Sequence, residues 1–309
     1  MKIFHNFDEV GQIRNAVVTT GLFDGVHIGH KVILDRLKKI ADEIGGETVL
    51  ITFDPHPRKV LYPDTVGKDL QLIYSQREKI DLLQRTGLDN LIIVNFTVEF
   101  SKITSVEFVR DFLLGKLHAR KIVIGFNHHF GHNREGDYDE LRKIGARNGF
   151  EVEEIPEQDI HHETVSSTKI RQALLEGNIQ KANAYLDHHY LIMGTVFRSS
   201  PVLAGMGFTS YSLQIEEEQK LVPPNGVYAT SIIYGDVSAR AMCFIRKNQE
   251  HPLDTVVEFH SIDPVEDLTG KLIPLHFHKK MRGEKVFSSR EELLEQLRSD
   301  KEQIEELIF

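Results

Sequence analysis

The sequence predicts an α/β domain built on a parallel sheet, followed by a small antiparallel β-barrel and a C-terminal helix. Over residues 1–188, short continuous apolar runs alternate with stretches of helical periodicity, a pattern typical of parallel strands covered by helices on both faces. From residue 189 onward, short β-rich runs follow one another between turn-forming residues, which is typical of an antiparallel barrel. We therefore predict two domains, at residues 1–188 and 189–309.

The predicted strands of the first domain are short and rich in aliphatic and β-branched side chains. They cover residues 16–20, 48–53, 91–94, 121–125 and 151–155. Helical spacing of apolar residues predicts helices at 33–44, 76–85, 105–114 and 138–148. Because ligands of parallel sheets bind beyond the carboxyl ends of the strands, we expect functional residues in the loops that follow them.

The second domain has shorter β-rich runs and ends in a helix. The predicted strands are residues 190–196, 226–234, 239–245, 255–260 and 272–278. Ser289 and Glu292 have the spacing of a capping box at the start of the terminal helix, and Leu293, Leu297 and Ile304 share one of its faces.

Composition excludes several classes of protein. The 309 residues carry a formal charge of −9, with 37 basic and 46 acidic side chains, which argues against a nucleic-acid or anionic-membrane binder. A single cysteine, Cys243, excludes an internal disulfide framework and is typical of a reducing cytoplasm. No apolar run is long enough to span a membrane, and the N-terminus has no signal-peptide pattern. We predict a cytoplasmic protein that acts on small molecules, and its oligomeric state is left open.

The loop between the first strand and the first helix carries glycines and histidines at close spacing. Gly21, Gly25 and Gly29 let the backbone approach a ligand closely. His27 and His30 are able to donate hydrogen bonds to phosphate oxygens. The start of a helix adds unpaired N–H groups and the positive end of the helix dipole. Together these features predict a phosphate-binding loop.

Two other interpretations of this loop stay open. A glycine-rich turn with two surface histidines needs no ligand at all. A metal site is the other alternative, but the loop offers no cysteine and no third ligand at local spacing, so metal ligands are left unassigned.

A run of hydroxyl and basic residues opens a later helix. Ser166, Ser167 and Thr168 have the side chains that cap helices, and the same hydroxyls also bind phosphate. Lys169 and Arg171 add positive charge where a triphosphate tail would lie. Helix capping explains this run on its own, whereas its occurrence together with the first loop favours phosphate binding.

These two motifs resemble the Rossmann-like nucleotidyltransferases that carry a HIGH-type signature. More closely, the chain resembles the bacterial bifunctional riboflavin kinase/FMN adenylyltransferases, or FAD synthetases. Residues 52–57 (Thr-Phe-Asp-Pro-His-Pro) resemble the loop after the second strand of that family. Residues 125–131 resemble its G-x-N/D-x-x-F-G segment, and the order of α/β domain, barrel and terminal helix also fits.

The resemblance implies adenylyl transfer, in which the phosphate of FMN attacks the α-phosphorus of Mg²⁺-bound ATP to give FAD and pyrophosphate. The implied catalytic residues are His27, His30, Asn127 and Arg171. The implied ATP-binding residues are Gly21, Phe23, Asp24, Gly25, His27, His30, Ser166, Ser167, Thr168 and Arg171. The implied FMN-binding residues are Phe53, Asp54, Pro55, His56, Asn127 and Phe130.

Some aromatic residues near these motifs have a second interpretation. Core packing remains the alternative for Phe53 and Phe130, since aromatic side chains are commonly buried for packing. His128, His129 and His132 are interpreted as loop residues that solvent can reach, and they are given no role.

The barrel domain departs from the kinase signature of the family, which has a Gly-Arg pair and then Gly-Phe-Pro-Thr-Ala-Asn. Leu203 and Ala204 stand in place of the Gly-Arg pair, and residues 207–212 read Gly-Phe-Thr-Ser-Tyr-Ser. The family's Thr and Asn meet Mg²⁺ and nucleotide phosphates. Ser210 retains a hydroxyl for Mg²⁺, whereas Ser212 is a poor substitute for the Asn.

Glu258 keeps the carboxylate that the family uses as a base on the ribityl hydroxyl of riboflavin. Because the nucleotide loop is changed, we expect kinase activity to be absent or severely impaired. Three alternatives stay open. They are a fully bifunctional enzyme that also phosphorylates riboflavin, adenylyl transfer to another acceptor such as nicotinate mononucleotide or pantetheine phosphate, and a barrel that binds flavin as a regulatory module.

Overall fold

The chain forms a parallel α/β sheet structure and a closed antiparallel β-barrel, as seen in a computed structural model. The structure describes residues 1–126, 128–157, 159–160, 163–199, 209–248 and 255–308. Within these ranges the predicted fold class, an α/β domain followed by a small barrel and a terminal helix, is confirmed.

All neighbouring strands of the α/β sheet are parallel. Its strands are β1 (Lys2–Phe4), β2 (Val17–Thr20), β3 (Thr48–Asp54), β4 (Asn90–Asn95), β5 (Lys121–Gly125) and β6 (Glu151–Ile155). They lie in the order β1-β4-β3-β2-β5-β6. The residues of β2 are buried throughout, which explains why this strand reads as a continuous run rather than as an alternating pattern.

Helices follow most of these strands. They are α1 (Ile28–Glu43), α2 (Pro57–Leu61), α3 (Gln76–Gln84), α4 (Ser105–Glu107), α5 (Tyr138–Asn148), α6 (Ser167–Leu175), α7 (Ile179–Leu186) and α8 (Arg290–Leu307). A π-helix over Phe108–Leu114 continues α4, so the helix predicted at 105–114 is present with a wider second half. Helix α7 and strand β1 were not predicted from the sequence.

The core of the α/β part lies between the sheet and its helices. Apolar residues of β2, β3 and β5 pack there against Phe108, Val109 and Leu113 of the π-helix. A capping box between Thr104 and Glu107 fixes the start of α4, and the apolar residues of the π-helix that continues α4 then face the sheet. This packing fixes the carboxyl ends of the strands, where the predicted loops begin.

The barrel is a closed ring of antiparallel strands in the described residues. They are β9 (Tyr190–Arg198), β10 (Ser210–Gln214), β11 (Gly226–Tyr234), β12 (Val237–Lys247), β13 (Thr255–Ser261) and β14 (Leu272–Arg282). The five predicted strands are present, and β10 was missed because its short sequence lacks a β-branched run. A separate two-stranded hairpin pairs β7 (Asp159–Ile160) with β8 (Glu163–Thr164).

Helix α8 packs its apolar face on the barrel. Leu297 and Ile304 are buried against Val227 and Met242. The guanidinium of Arg282 lies 2.8 Å from the carboxylate of Asp300, which is only 2% exposed, so the helix is held by a charge pair as well as by apolar contact.

The chain divides into two compact units by internal contacts. The first contains residues 1–70 and 79–166, and the second contains residues 71–78 and 167–309. Segment 71–78 therefore belongs to the barrel unit although it lies early in the sequence. The predicted domain boundary between residues 188 and 189 stays a prediction.

Candidate active site

The strand order of the sheet creates a switch point beside β2. From β2 the chain proceeds to β3 and β4 on one side, and later to β5 and β6 on the other side. The carboxyl ends of strands at such a switch point, here β2 and β5, are where parallel α/β sheets bind ligands. The glycine- and histidine-rich loop follows β2 directly, and the segment starting at Gly125 follows β5.

The loop after β2 is held in an unusual backbone conformation. Phe23 and Val26 have φ angles of 49° and 42°, a region that non-glycine residues rarely adopt. Both side chains are almost fully buried, at 2% and 1% exposed, so packing holds the strained backbone in place. Gly25, with φ of 97°, makes the turn between them possible. Such strain is commonly retained at functional sites.

The two histidines of this loop are stacked. The ring centroids of His27 and His30 lie 3.6 Å apart at 18°, and Phe23 stacks on the other face of His30 at 4.5 Å. His27 is the N-cap of α1 and makes no side-chain cap hydrogen bond. A Cβ atom added to Gly29 would lie 3.3 Å from the His27 ring, so glycine gives that ring its room.

Burial keeps both imidazoles neutral. It lowers the pKa of His27 to about 4. It also lowers the pKa of His30 well below its usual value, and the charges of His27 and Lys79 add to that effect. Among the described residues, neither Nδ1 atom has a hydrogen-bond partner, although both atoms are enclosed. Buried polar atoms without partners are costly, so these two nitrogens are suited to a ligand that brings hydrogen-bonding oxygens.

The residues predicted to contact FMN lie at two places in the α/β unit. Phe53 and Asp54 end β3, Pro55 and His56 follow them, and Phe130 lies in the segment after β5. Phe53 and Phe130 are half-buried and pack on the core. This contact is consistent with the alternative that the two rings serve core packing. The Nδ1 atom of His56 accepts a hydrogen bond from the backbone N–H of Arg58, in the first turn of α2. Their predicted contacts with flavin stay predictions.

Asn127, a predicted catalytic residue, lies outside the described residues. Its neighbour His128, interpreted as a loop residue that solvent can reach, is partly exposed in the structure. His128 stacks on Phe130, its Nε2 atom is enclosed, and burial lowers its pKa to about 4. His129 is exposed, and the Nδ1 atom of His132 is hydrogen-bonded to the backbone carbonyl of Ser101.

The hydroxyl-rich motif lies at the start of α6. The helix begins at Ser167, and Ser166 precedes it, so both interpretations of the motif, helix capping and phosphate binding, fit its place. Arg171 lies one turn into the helix, and its Nε donates a 2.7 Å hydrogen bond to the backbone carbonyl of Gln71. By internal contacts Ser167, Thr168 and Arg171 belong to the second unit, and Ser166 ends the first.

The predicted residues of the kinase-like site come together on two barrel strands. Ser212 on β10 lies directly opposite Glu258 on β13. The Glu258 carboxylate accepts hydrogen bonds from the Ser199 hydroxyl and from Nε of Arg246, the latter at 3.1 Å. Within the described part of the chain, the buried Ser210 hydroxyl has no hydrogen-bond partner.

The first part of the altered kinase signature is not among the described residues. Leu203, Ala204, Gly207 and Phe208 lie outside the described residues.

Sequence reasoning missed Lys79. This lysine lies on α3, is 7% exposed, and reaches the first loop, where its Nζ donates to the Leu22 carbonyl. Its position in the sequence indicates that it is buried. Lys79 precedes the fully buried Leu83 by one helical turn, so both residues lie on the buried face of the helix.

The described residues contain no group of three His, Cys, Asp or Glu side chains arranged to hold a metal ion. The metal ligands, which the sequence left unassigned, therefore stay unassigned. Among the helices in the described ranges, none is long and apolar enough to cross a lipid bilayer.

The fold and its loop define a nucleotide-binding α/β protein with an attached β-barrel. Residues 10–169 match the family model for FAD synthetase, and residues 186–308 match the model for riboflavin kinase. The chain belongs to the bifunctional riboflavin kinase/FMN adenylyltransferase family. The resemblance predicted from its motifs is thereby confirmed.

Relatives with that name match over nearly the whole chain. The protein from Listeria monocytogenes is 31% identical over 290 residues, which cover 93% of this chain and 91% of the relative. The protein from Bacillus subtilis is 30% identical, with the same coverage, and the one from Escherichia coli is 28% identical over 96% of this chain and 93% of its own.

A solved structure has the same fold. The crystal structure of a macrolide-efflux protein from Streptococcus pneumoniae is similar with a TM-score of 0.87 and 26% identity, over 98% of each chain.

Proposed function

We propose that the chain synthesises FAD by transferring the adenylyl group of ATP to FMN, with release of pyrophosphate. The observation that carries the proposal is the stacked pair His27 and His30, whose enclosed Nδ1 atoms lack partners among the described residues at the start of α1. The names of the relatives and the match to the FAD synthetase model support the same activity.

In the proposed reaction an oxygen of the FMN phosphate bonds to the α-phosphorus of ATP. The bond from that phosphorus to the bridging oxygen of the β-phosphate breaks, and pyrophosphate leaves. Neutral His27 and His30 donate hydrogen bonds to phosphate oxygens, and these bonds strengthen as negative charge develops. The glycines at 21 and 25, together with the N-terminus of α1, admit the phosphates close to the backbone.

The remaining ATP contacts are proposed for the second motif. The hydroxyls of Ser166, Ser167 and Thr168 and the guanidinium of Arg171 would hold the triphosphate. Phe23 and Asp24 are proposed on the ATP side of the first loop. Phe23 stacks directly on His30, which supports its role in fixing that ring.

The FMN side is proposed to be formed by Phe53, Asp54, Pro55, His56 and Phe130, and Asn127 is proposed as a further FMN-binding and catalytic residue. The carboxyl end of β3 supports this assignment, because β3 neighbours β2, from which the phosphate loop arises. Phe53 is half-buried at the end of this strand, where its ring makes an edge contact with Phe96 at 5.7 Å.

Mg²⁺ stays a prediction that rests on the family. It is proposed to enter the site bound to the phosphates of ATP, as is usual for this cation. No step of the proposed reaction depends on a protein ligand to the metal.

We propose domains at residues 1–188 and 189–309, and the limits of the two family models support this division. A cytoplasmic location also stays a prediction, supported by the single buried cysteine, Cys243.

For the barrel we propose impaired kinase activity. Leu203 and Ala204 remove a glycine and a cation from the nucleotide loop, and Ser212 replaces the asparagine. The ion pair between Glu258 and Arg246 adds a second reason, since it engages the carboxylate that the family uses as the base.

The second candidate function is a fully bifunctional enzyme. The match of residues 186–308 to the riboflavin kinase model favours it, and so does the enclosed Ser210 hydroxyl, which lies where the family has its Mg²⁺-binding threonine.

One experiment tests both candidates. The protein is incubated with ATP and Mg²⁺, with either FMN or riboflavin, and the flavins are separated by chromatography. We expect FAD from FMN and no product from riboflavin. FMN or FAD formed from riboflavin would support the bifunctional enzyme, and the absence of FAD from FMN would overturn the proposed function.

A further inference from the structure

Lys79 is a buried cation directly beneath the first loop. Its Nζ donates hydrogen bonds to the Leu22 carbonyl at 3.4 Å and to the Thr52 hydroxyl at 3.3 Å. The Thr52 hydroxyl in turn donates to the same Leu22 carbonyl at 3.1 Å. These three groups join the phosphate loop after β2 to the end of β3, where the predicted FMN-binding residues begin.

These contacts satisfy the ammonium only weakly. Both hydrogen bonds are longer than the usual range for N–H donors, and Thr52 is fully buried, so water does not reach the group from that side. Burial lowers the pKa of Lys79, and the charges of Asp24 and Asp54 oppose that shift. Hydrogen bonds of this length stabilise the folded state only weakly, so holding the ammonium here contributes little to stability through them.

The carboxylates near Lys79 belong to the two loops that it joins. Asp24 lies in the first loop and Asp54 ends β3, and both attract the ammonium. The cation therefore holds the ATP-side loop to the FMN-side loop by hydrogen bonds and by charge. His30 stacks between His27 and Phe23. The positive charge of Lys79 helps to lower the pKa of His30.

We propose that Lys79 is a positioning residue for adenylyl transfer, which ties the first loop to the end of β3 and so sets the distance between the two phosphates that react. This inference rests on the proposed function. It assigns Lys79 no contact with substrate. Its effect passes through the Leu22 carbonyl and Asp24, and an error of about 1 Å in such a site is enough to reduce a rate about 100-fold.

The test compares Lys79→Met with Arg85→Met and Thr52→Val. Arg85 is a matched control because it is an exposed cation that follows the same helix and pairs with Asp81 on the surface. We expect Lys79→Met to lower kcat for FAD formation from FMN by about 10- to 100-fold, while KM for ATP and for FMN changes less than about threefold. Its Tm should fall by less than about 5 °C. Arg85→Met should keep wild-type kcat.

Thr52→Val removes the hydroxyl without changing the shape of the side chain. It therefore tests the same link to the Leu22 carbonyl even if Lys79→Met does not fold. We expect a loss in kcat of about 3- to 10-fold. Because both residues act through the Leu22 carbonyl, the double variant should lose less than the product of the two single losses.

The outcomes separate the two claims. Wild-type protein that makes no FAD from FMN overturns the proposed function together with this inference. Wild-type activity combined with a Lys79→Met kcat within threefold of it overturns the inference alone. A Tm that falls by more than about 5 °C in Lys79→Met also overturns it, since the lysine would then act mainly on stability.

Discussion

The first loop of the α/β unit and the buried ion pair of the barrel unit hold their polar groups in opposite ways. In the loop, the Nδ1 atoms of His27 and His30 are enclosed, and the described residues offer them no partner. Lys79 beneath them has two long hydrogen bonds. The buried polar atoms of this region are therefore only partly satisfied by the protein itself.

Lys220 of the barrel unit is buried to the same degree but is well satisfied. Its ammonium lies 2.8 Å from the Glu78 carboxylate and donates to the carbonyls of Ile73 and Leu191 at 2.6 and 2.8 Å. Two tyrosine rings have their centroids 4.5 and 4.4 Å away. The comparison indicates that satisfied buried charges here maintain the fold, whereas the partly satisfied groups lie at the proposed site of adenylyl transfer.

The largest expected effect comes from breaking the satisfied pair. Lys220→Met leaves the Glu78 carboxylate buried without its cation, and we expect the free energy of unfolding to fall by about 3–5 kcal/mol. Urea unfolding measures this. Lys271→Met in the same unit is the matched control, because its ion pair with the exposed Glu266 spans 3.7 Å at the surface and should contribute less than about 1 kcal/mol.

A second change at Glu78 sharpens the result. Glu78→Gln combined with Lys220→Met removes both charges, so part of the lost stability should return. A loss below about 1 kcal/mol for Lys220→Met alone would contradict the structural role of this pair, because breaking a buried pair is expected to cost several times more.

The next effect concerns the unsatisfied side of the comparison. His30→Ala removes a donor to the phosphates, and we expect kcat/KM for FAD formation to fall about 100- to 1,000-fold with little change in Tm. The exposed His5 provides the control, and His5→Ala should retain full activity. Activity of His30→Ala within a few-fold of the wild-type value would show that the assignment is wrong.

Much of this architecture follows from local sequence pattern. Continuous apolar runs such as 48–53 predict a parallel sheet, because strands covered on both faces have no polar side. The first loop was also predictable, since its glycines and histidines lie between a strand and a helix, where phosphate sites arise. The barrel followed from the spacing of short β-rich runs, apart from β10.

The contacts missed by the sequence join residues far apart along the chain. Lys220 and Glu78 form one pair although they are separated by most of the α/β domain, and no local period indicates such a pair. Lys79 meets Leu22 and Thr52 for the same reason. The stacking of His128 on Phe130 is another contact that a loop sequence does not reveal.

Buried neutral histidine should also make stability depend on pH. The His27 imidazole has an ordinary pKa of 6.5 and a folded pKa of about 4, so the unfolded chain binds a proton in this range that the folded chain does not. Its contribution to stability is complete above pH 6.5 and is lost as pH falls towards 4. We expect this residue alone to account for up to about 3 kcal/mol over that window.

Urea unfolding at several pH values between 7 and 4.5 measures this dependence. His27→Gln should flatten the curve, since glutamine takes up no proton. Saturating ATP should also reduce the slope, because phosphate oxygens stabilise the charged imidazolium of His27 and His30. An unchanged slope in His27→Gln would mean that other groups dominate the pH dependence.

The smallest expected effect tests whether the barrel takes part in adenylyl transfer. Glu258 is paired with Arg246 and accepts a hydrogen bond from Ser199, so its charge is satisfied within the barrel. Glu258→Gln should therefore leave FAD formation from FMN within about twofold of wild type, in keeping with the small effect of changing a partly exposed ion pair.

The same preparation is assayed for ADP formed in the presence of riboflavin. If wild-type protein forms such ADP, Glu258→Gln should abolish it, and the barrel then retains a working base. A large loss of FAD formation from FMN in this variant would show that the barrel contributes to the first reaction, which would remove the functional distinction between the two regions.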